Sequence, residues 1–177
     1  MESGTKPFWA SKWYFVYLVL SIIILAVWAY SKFVLHACVV SGESMEPTFH
    51  DGDILSCSVG FDIGNISRGD IVCFSSDKGQ LIKRVIALPG ESICVHNGQF
   101  LIKKDNEYIS SGYDYEPIAE PGIVPLYETG SIFTLADDEF FCVGDNRNYS
   151  IDSRVIGPVK FYQIDRKVNK AVLSNAI

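Results

Sequence analysis

Ser44 lies in the segment Ser41-Gly42-Glu43-Ser44-Met45-Glu46-Pro47-Thr48, whose composition suits a tight turn. Pro47 fixes its own φ and disfavours helix for Glu46, and Gly42 permits backbone angles closed to other residues. Such a turn can present a side chain and free a backbone N–H beside it. Serine in a Gly/Pro turn is ordinarily structural, so Ser44 needs a base before it counts as a nucleophile. The three histidines, His36, His50 and His96, each have an ordinary turn or interface role. The stretch Gly42–Glu46 also lacks the second glycine of a nucleophile elbow. A Ser-His-Asp triad is disfavoured.

A neutral lysine is the other route to an activated serine. In Leu81-Ile82-Lys83-Arg84-Val85-Ile86, strand alternation puts Lys83 on one face with Leu81 and Val85. Arg84 falls on the opposite face with Ile82 and Ile86. Lys83 can thus be desolvated by apolar neighbours without Arg84 beside it, and desolvation favours the neutral amine. From an ordinary pKa of about 10.4, half-neutrality at pH 7 costs about 4.6 kcal/mol, within what burial supplies. The bland reading of this segment alone is a lysine snorkelling at a strand edge.

A third constellation runs from Gly144 to Arg154, with two Asp, two Arg, two Asn and two Ser in eleven residues. Asx turns and ion pairs explain much of it; a rigid polar network beside a reaction centre explains more. The five cysteines (Cys38, Cys57, Cys73, Cys94 and Cys142) show no C-x-x-C or Cys/His ligand spacing. They read as buried thiols used as small apolar side chains, with one disulfide open as an alternative in an oxidising space.

The elements that must position these residues read as β. From residue 39 onward, short runs rich in β-branched and aromatic residues are separated by turn residues. The expected strands are Ile54–Val59, Asp70–Phe74, Gln80–Ala87, Ser92–Val95, Gln99–Ile102, Ile132–Leu135 and Glu139–Val143. Asn97-Gly98 is a strong hairpin signal. Residues 105–139 hold nine acids and no base, which suits a solvated loop or small subdomain. The expected fold is mainly β: an antiparallel barrel or sandwich behind an N-terminal transmembrane helix.

That helix accounts for the mean hydropathy of +0.17 in a chain of 177 residues. Trp13 to Ser31 carries no charge and, at about 1.5 Å per residue, nearly crosses a hydrocarbon core of roughly 30 Å. The run is longer than a signal-peptide h-region. Leu35-His36-Ala37-Cys38 resembles a lipoprotein processing site, with His36 out of place in it, so an uncleaved anchor over 13–35 is the better reading. Trp13, Tyr14, Tyr17, Trp28 and Tyr30 suit interfacial belts. Residues 1–32 carry Lys6, Lys12 and Lys32 against Glu2, a net +2; the rest carry 12 bases and 20 acids, a net −8. An acidic bulk domain argues against nucleic acid. It also tips that domain, 36–177, to the outer side, with 1–12 in the cytoplasm.

Taken together, Ser41–Thr48, Arg68-Gly69-Asp70-Ile71-Val72, Lys83–Gly90 and Gly144–Arg154, in that order behind an anchor, resemble bacterial type I signal peptidase. The likeness is to the short single-span form common in Gram-positive organisms. It implies a Ser/Lys endopeptidase with Ser44 as nucleophile, Lys83 as general base and Ser150 orienting Lys83 by a hydrogen bond. It further implies an oxyanion donor in the Ser44 backbone N–H. Gly42 stands where some relatives carry a hydroxyl, which leaves the second donor open. Asp145, Asp152, Arg84 and Arg154 correspond to an ion-pair framework. Met45, Leu81 and Ile82 are candidates for shallow pockets admitting small residues. The implied partners are signal peptides of secreted pre-proteins, the bilayer and the secretion translocon, with no cofactor, no metal and no nucleic acid. Two other readings stay open: a specialised peptidase, and a catalytically silent homologue assisting surface-protein or pilus assembly. Retention of both Ser44 and Lys83 speaks against the silent form.

Overall fold

The structure, a computed structural model, describes residues 12–96, 99–104, 107–113 and 132–174. The chain divides into two compact units, Met1–Ala37 and Cys38–Ile177. In the first, helix α1 spans Lys12–Leu35. Its Trp13–Ser31 stretch is long and apolar enough to cross a membrane, and none of it is buried by protein. A helix that is apolar all round and unburied fits lipid as its solvent. Ser21 and Ser31 return their hydroxyls to the Leu18 and Trp28 carbonyls, each at 2.8 Å, so neither needs water.

The second unit is mainly β. The strands are β1 (Ala37–Val39), β2 (Ile54–Ser58), β3 (Ile71–Ser76), β4 (Gly79–Ala87), β5 (Ser92–His96), β6 (Gln99–Lys104), β7 (Glu107–Ser110), β8 (Ile132–Thr134), β9 (Glu139–Val143), β10 (Val159–Lys160) and β11 (Ile164–Leu173). A short helix α2 (Ser153–Ile156) precedes β10. The larger sheet has the order β1-β2-β11-β3-β4-β9-β10 and the smaller β7-β6-β5-β8. From β2 onward the larger sheet pairs antiparallel throughout, as does the smaller.

All seven expected strands form, with ends moved by one or two residues. The Asn97-Gly98 turn lies outside the described residues, although His96 pairs with Gln99 across it. The acidic 105–139 segment is not wholly a loop: β7 and β8 lie within it and extend the smaller sheet. Residues 114–131 lie outside the described residues. The tail beyond Gly157 supplies β11, inserted between β2 and β3, because its backbone completes two ladders that would otherwise be open edges.

Strand alternation feeds the core on both faces. Val85, Phe140 and Cys142 join one cluster with Val72, Phe74 and Ile164, and Leu81 packs on it. Ile86, Phe141 and Val143 join another with Ile93, Phe100 and Ile102. A third, smaller cluster holds Val40, Leu55, Cys57 and Cys73, with Cys38 and Ile82 against it. Thus β4 is buried on both faces from Lys83 to Ala87, which is where a lysine can be stripped of water.

Candidate active site

Ser44 sits on the connection between β1 and β2, a loop held by its own backbone. Gly42, at φ +84°, donates its N–H to Asp51 Oδ1 at 2.7 Å, so that N–H is not available to a ligand. Glu46 N–H reaches the Glu43 carbonyl at 3.1 Å and Phe49 N–H the Met45 carbonyl at 3.0 Å. Met45 is buried and anchors the turn from below. Among the described residues, the Ser44 backbone N–H has no acceptor.

Lys83 enters from β4, opposite Val72 in the ladder, and is only 2% exposed. Its ammonium nitrogen lies 2.7 Å from Ser44 Oγ and 2.8 Å from the Ile82 carbonyl. Burial lowers its pKa from 10.5 to about 8, against the opposing fields of Asp152 and Asp145; Arg154 adds a smaller lowering. A fully ionised lysine here would lack the hydration that stabilises it in water. Lys83 is therefore about one-tenth neutral at pH 7 and half neutral near pH 8.

Two buried ion pairs frame this contact. Arg84 grips Asp145 two-handed, Nε to Oδ1 at 2.8 Å and Nη2 to Oδ2 at 2.6 Å. Thr48 donates to the same carboxylate at 2.5 Å, and Arg84 Nη1 reaches the Gly69 carbonyl at 2.9 Å. The Ser44 loop, β4, the Arg68–Val72 segment and the loop after β9 are thereby tied at one point. Asp152 and Arg154 form the second pair, both fully buried. Asp152 receives Arg154 Nε and Nη2, each at 2.8 Å, Gly144 N–H at 3.0 Å and the Ser150 hydroxyl at 2.7 Å. Asp152 also caps α2 through Arg154 N–H. The Asp152 carboxylate is thus fully provided with donors, as a buried charge requires, while Arg154 Nη1 has no hydrogen-bond partner among the described residues.

One expectation is corrected. Ser150 does not hydrogen-bond Lys83: among the described residues its hydroxyl goes to Asp152, and Lys83 uses Ser44 and Ile82 instead. Ser150 still lies at the centre, because a Cβ on Gly144 would meet both the Ser150 hydroxyl and the Ser44 carbonyl.

Met45, Leu81 and Ile82 line one pocket with Ser44 and Lys83, of about 100 Å³, together with Cys38, Val40, Ser41 and Cys73. Sequence reasoning missed Asn146, which ties the loop after β9 to the Ser44 turn. Its N–H reaches the Ser44 carbonyl and its side-chain amide the Glu43 carbonyl, both at 3.1 Å. Its place in a polar cluster was visible; its partner, about a hundred residues away, was not.

A family model described as signal peptidase, peptidase S26, matches residues 12–173. The chain belongs to that family. This S26 chain is 37% identical over 151 residues to a signal peptidase I of Bacillus caldolyticus, covering 77% of this chain and 79% of that one. It is 33% identical over 128 residues to signal peptidase I S of Bacillus subtilis strain 168, covering 70% and 68% respectively. A solved signal peptidase I from Enterococcus faecalis V583 aligns at 26% identity and TM-score 0.43, covering 66% of this chain and 100% of that one. The S26 match takes in both Ser44 and Lys83.

Proposed function

We propose that the chain is a membrane-anchored Ser/Lys endopeptidase that removes N-terminal signal peptides from exported pre-proteins. The observation that carries this reading is the 2.7 Å contact between Lys83 Nζ and Ser44 Oγ in a buried, low-pKa setting. Neutral Lys83 takes the Ser44 proton as Oγ attacks the scissile carbonyl. The oxyanion is met by the Ser44 backbone N–H. Protonated Lys83 then gives its proton to the leaving amine. Water, deprotonated by the same lysine, hydrolyses the acyl-enzyme and restores Ser44. The chemistry asks for no cofactor.

The small pocket beside the dyad suits small side chains near the cleaved bond, with the peptide extended along a strand edge. Residues 13–35 anchor the enzyme, 1–12 face the cytoplasm and 36–177 form the extracytoplasmic catalytic domain. Enzyme and signal peptide then share a bilayer, which raises their effective concentration. Delivery from the secretion translocon fits the same geometry.

The test is cleavage of one labelled pre-protein by the full chain in detergent. Wild type cuts after a small-x-small motif, while Ser44→Ala, Lys83→Ala and Lys83→Arg do not, guanidinium being unable to act as base. Undiminished turnover by folded Lys83→Ala sinks the reading.

A further inference from the structure

Three of the five cysteines converge where the strand order would keep them apart. Cys38 is on β1, Cys57 on β2 and Cys73 on β3. In the sheet, β2 and β11 stand between β1 and β3, so flat pairing at about 4.8 Å per strand would separate those outer two by about 14 Å. Yet the Cys73 and Cys38 sulfurs are 3.6 Å apart. The sheet curls, and the sulfurs meet across its concave side in a cluster with Cys57, Val40 and Leu55.

Both Cys38 and Cys73 line the pocket that holds Ser44 and Lys83, and Cys73 pairs in the ladder with the pocket residue Ile82. All five thiols are free. Cys57 and Cys73 are buried, whereas Cys38 is partly open, so a reagent entering the pocket meets Cys38 first. Among the described residues no His, Cys, Asp or Glu cluster has metal-binding geometry, which leaves sulfur–sulfur chemistry.

We propose that Cys38 and Cys73 are a modification site: a thiol pair that closes into a reversible disulfide by exchange with a small disulfide and thereby restricts the peptide pocket. The inference rests on the peptidase reading for its consequence, not for the bond itself. Cys38 thiolate attacks one sulfur of the small disulfide RSSR and expels RS⁻. Cys73 loses its proton to that thiolate and attacks the Cys38 sulfur of the mixed disulfide, expelling the second RS⁻, which takes up the proton Cys38 gave to solvent. Two protein thiols are oxidised, and one RSSR is reduced to two RSH.

The local electrostatics support this order of events. The thiols of Cys57 and Cys73 hold the Cys38 thiol well below the ordinary thiol range against its burial, and Arg166 adds to the effect. Cys73 is pushed up, chiefly by Cys38 and Cys57. A partly exposed, low-pKa thiol beside a protonated one is a nucleophile with its resolving partner. Closing the bond draws the sulfurs together by about 1.5 Å, joining two non-neighbouring strands across the pocket wall. The dyad itself is carried by other segments, so the effect falls on peptide binding before it falls on the chemical step.

The experiment treats the full chain in detergent with oxidised glutathione, then blocks free thiols under denaturing conditions and maps linked peptides by mass spectrometry. The expected result is a Cys38–Cys73 linked peptide, removed by dithiothreitol, with a fall of at least fivefold in kcat/KM on a labelled pre-protein, expressed mainly in KM. In Cys38→Ser the ratio of oxidised to reduced rates becomes one, whatever the reduced rate is; Cys73→Ser stops at the Cys38–glutathione adduct and yields no linked peptide, while Cys57→Ser still responds. A Cys38–Cys57 link, a glutathione adduct on Cys38 that never resolves, no link at all, or a Cys38–Cys73 link with unchanged kcat/KM each overturns the proposal. If the reduced chain cleaves no pre-protein, the peptidase reading fails and the gating consequence with it, while the linked-peptide map still decides the bond.

Discussion

Ser150 donates its hydroxyl proton to Asp152 Oδ2 at 2.7 Å, the carboxylate whose field reaches Lys83, so any influence of Ser150 on the amine is expected to pass through Asp152. Ser150→Ala leaves Asp152 with Arg154 and the Gly144 N–H, one donor short but still paired. Expected is a stability loss of about 1 kcal/mol and a fall in kcat/KM of about ten- to thirtyfold. That is far milder than the loss in Lys83→Ala. Steady-state kinetics with urea unfolding of the full chain checks both numbers. A loss as complete as that of Lys83→Ala would place Ser150 directly on the lysine.

Gly144 has no room for a side chain, because a Cβ would strike the Ser150 hydroxyl and the Ser44 carbonyl together. Gly144 is not among the glycines with positive φ, so the cost of Gly144→Ala is packing alone. We expect about 1–3 kcal/mol of overpacking, relieved by pushing the nucleophile turn away from β4. Cleavage then falls by a hundredfold or more, since displacements of an ångström in a catalytic group cost about that much. A crystal structure or cross-linking distance from Ser44 to Lys83 distinguishes this displacement from simple unfolding. Wild-type kcat in the folded variant would contradict it.

Local pattern reveals a residue's type of role more readily than its partner. Ser44 in a Gly/Pro turn and Lys83 in an apolar strand stood out as candidates because burial and turn chemistry are short-range properties, but each segment alone favoured a structural role, and the pairing came from the four motifs taken in order. The Ser150 bond was not legible, because whether its hydroxyl also lies within reach of Lys83 is decided by distances that no local spacing encodes. Strand β11 escaped for a different reason. Ile164–Leu173 carries Asp165, Arg166, Lys167, Asn169 and Lys170 and is buried only at its first residue. Bulges against β2 also break its alternation. Its place is set by two backbone ladders, which leave no hydrophobic period to read. The thiol cluster likewise depends on sheet curvature, which no spacing of Cys38, Cys57 and Cys73 encodes.

The Asp152–Arg154 pair is fully buried, so removing one member strands the other. Arg154→Met is expected to cost about 3–5 kcal/mol, whereas Asp152→Asn with Arg154→Met costs less than the sum of the singles. The double variant should recover stability without recovering activity, because Asp152 also fixes Gly144 and Ser150. A double-mutant cycle by urea unfolding, with cleavage measured in parallel, checks both halves. Strict additivity would show that the pair is not coupled.

Lys83 titrates at about 8 instead of 10.5 because burial outweighs the fields of Asp152 and Asp145, and this has consequences for both rate and stability. In the proposed role of general base it works only when neutral, so the logarithm of kcat/KM is expected to rise with pH, with unit slope, and to level off above about 8. Asp145→Asn removes a negative charge that favours the ammonium, moving that limb to lower pH in whatever fraction remains folded. For stability, the unfolded chain binds more protons than the folded one between about 8 and 10.5, so this lysine's contribution improves as pH rises through that window. Below it the fold carries the whole cost, roughly 3 kcal/mol for such a displacement. Lys83→Met, close in volume and uncharged, is therefore inactive yet more stable than wild type at pH 7, and its advantage shrinks toward zero as the pH approaches 10.5. Urea unfolding of both chains from pH 7 to 10 measures the difference, and an advantage that stays constant over that range would mean that Lys83 is not held below its ordinary pKa.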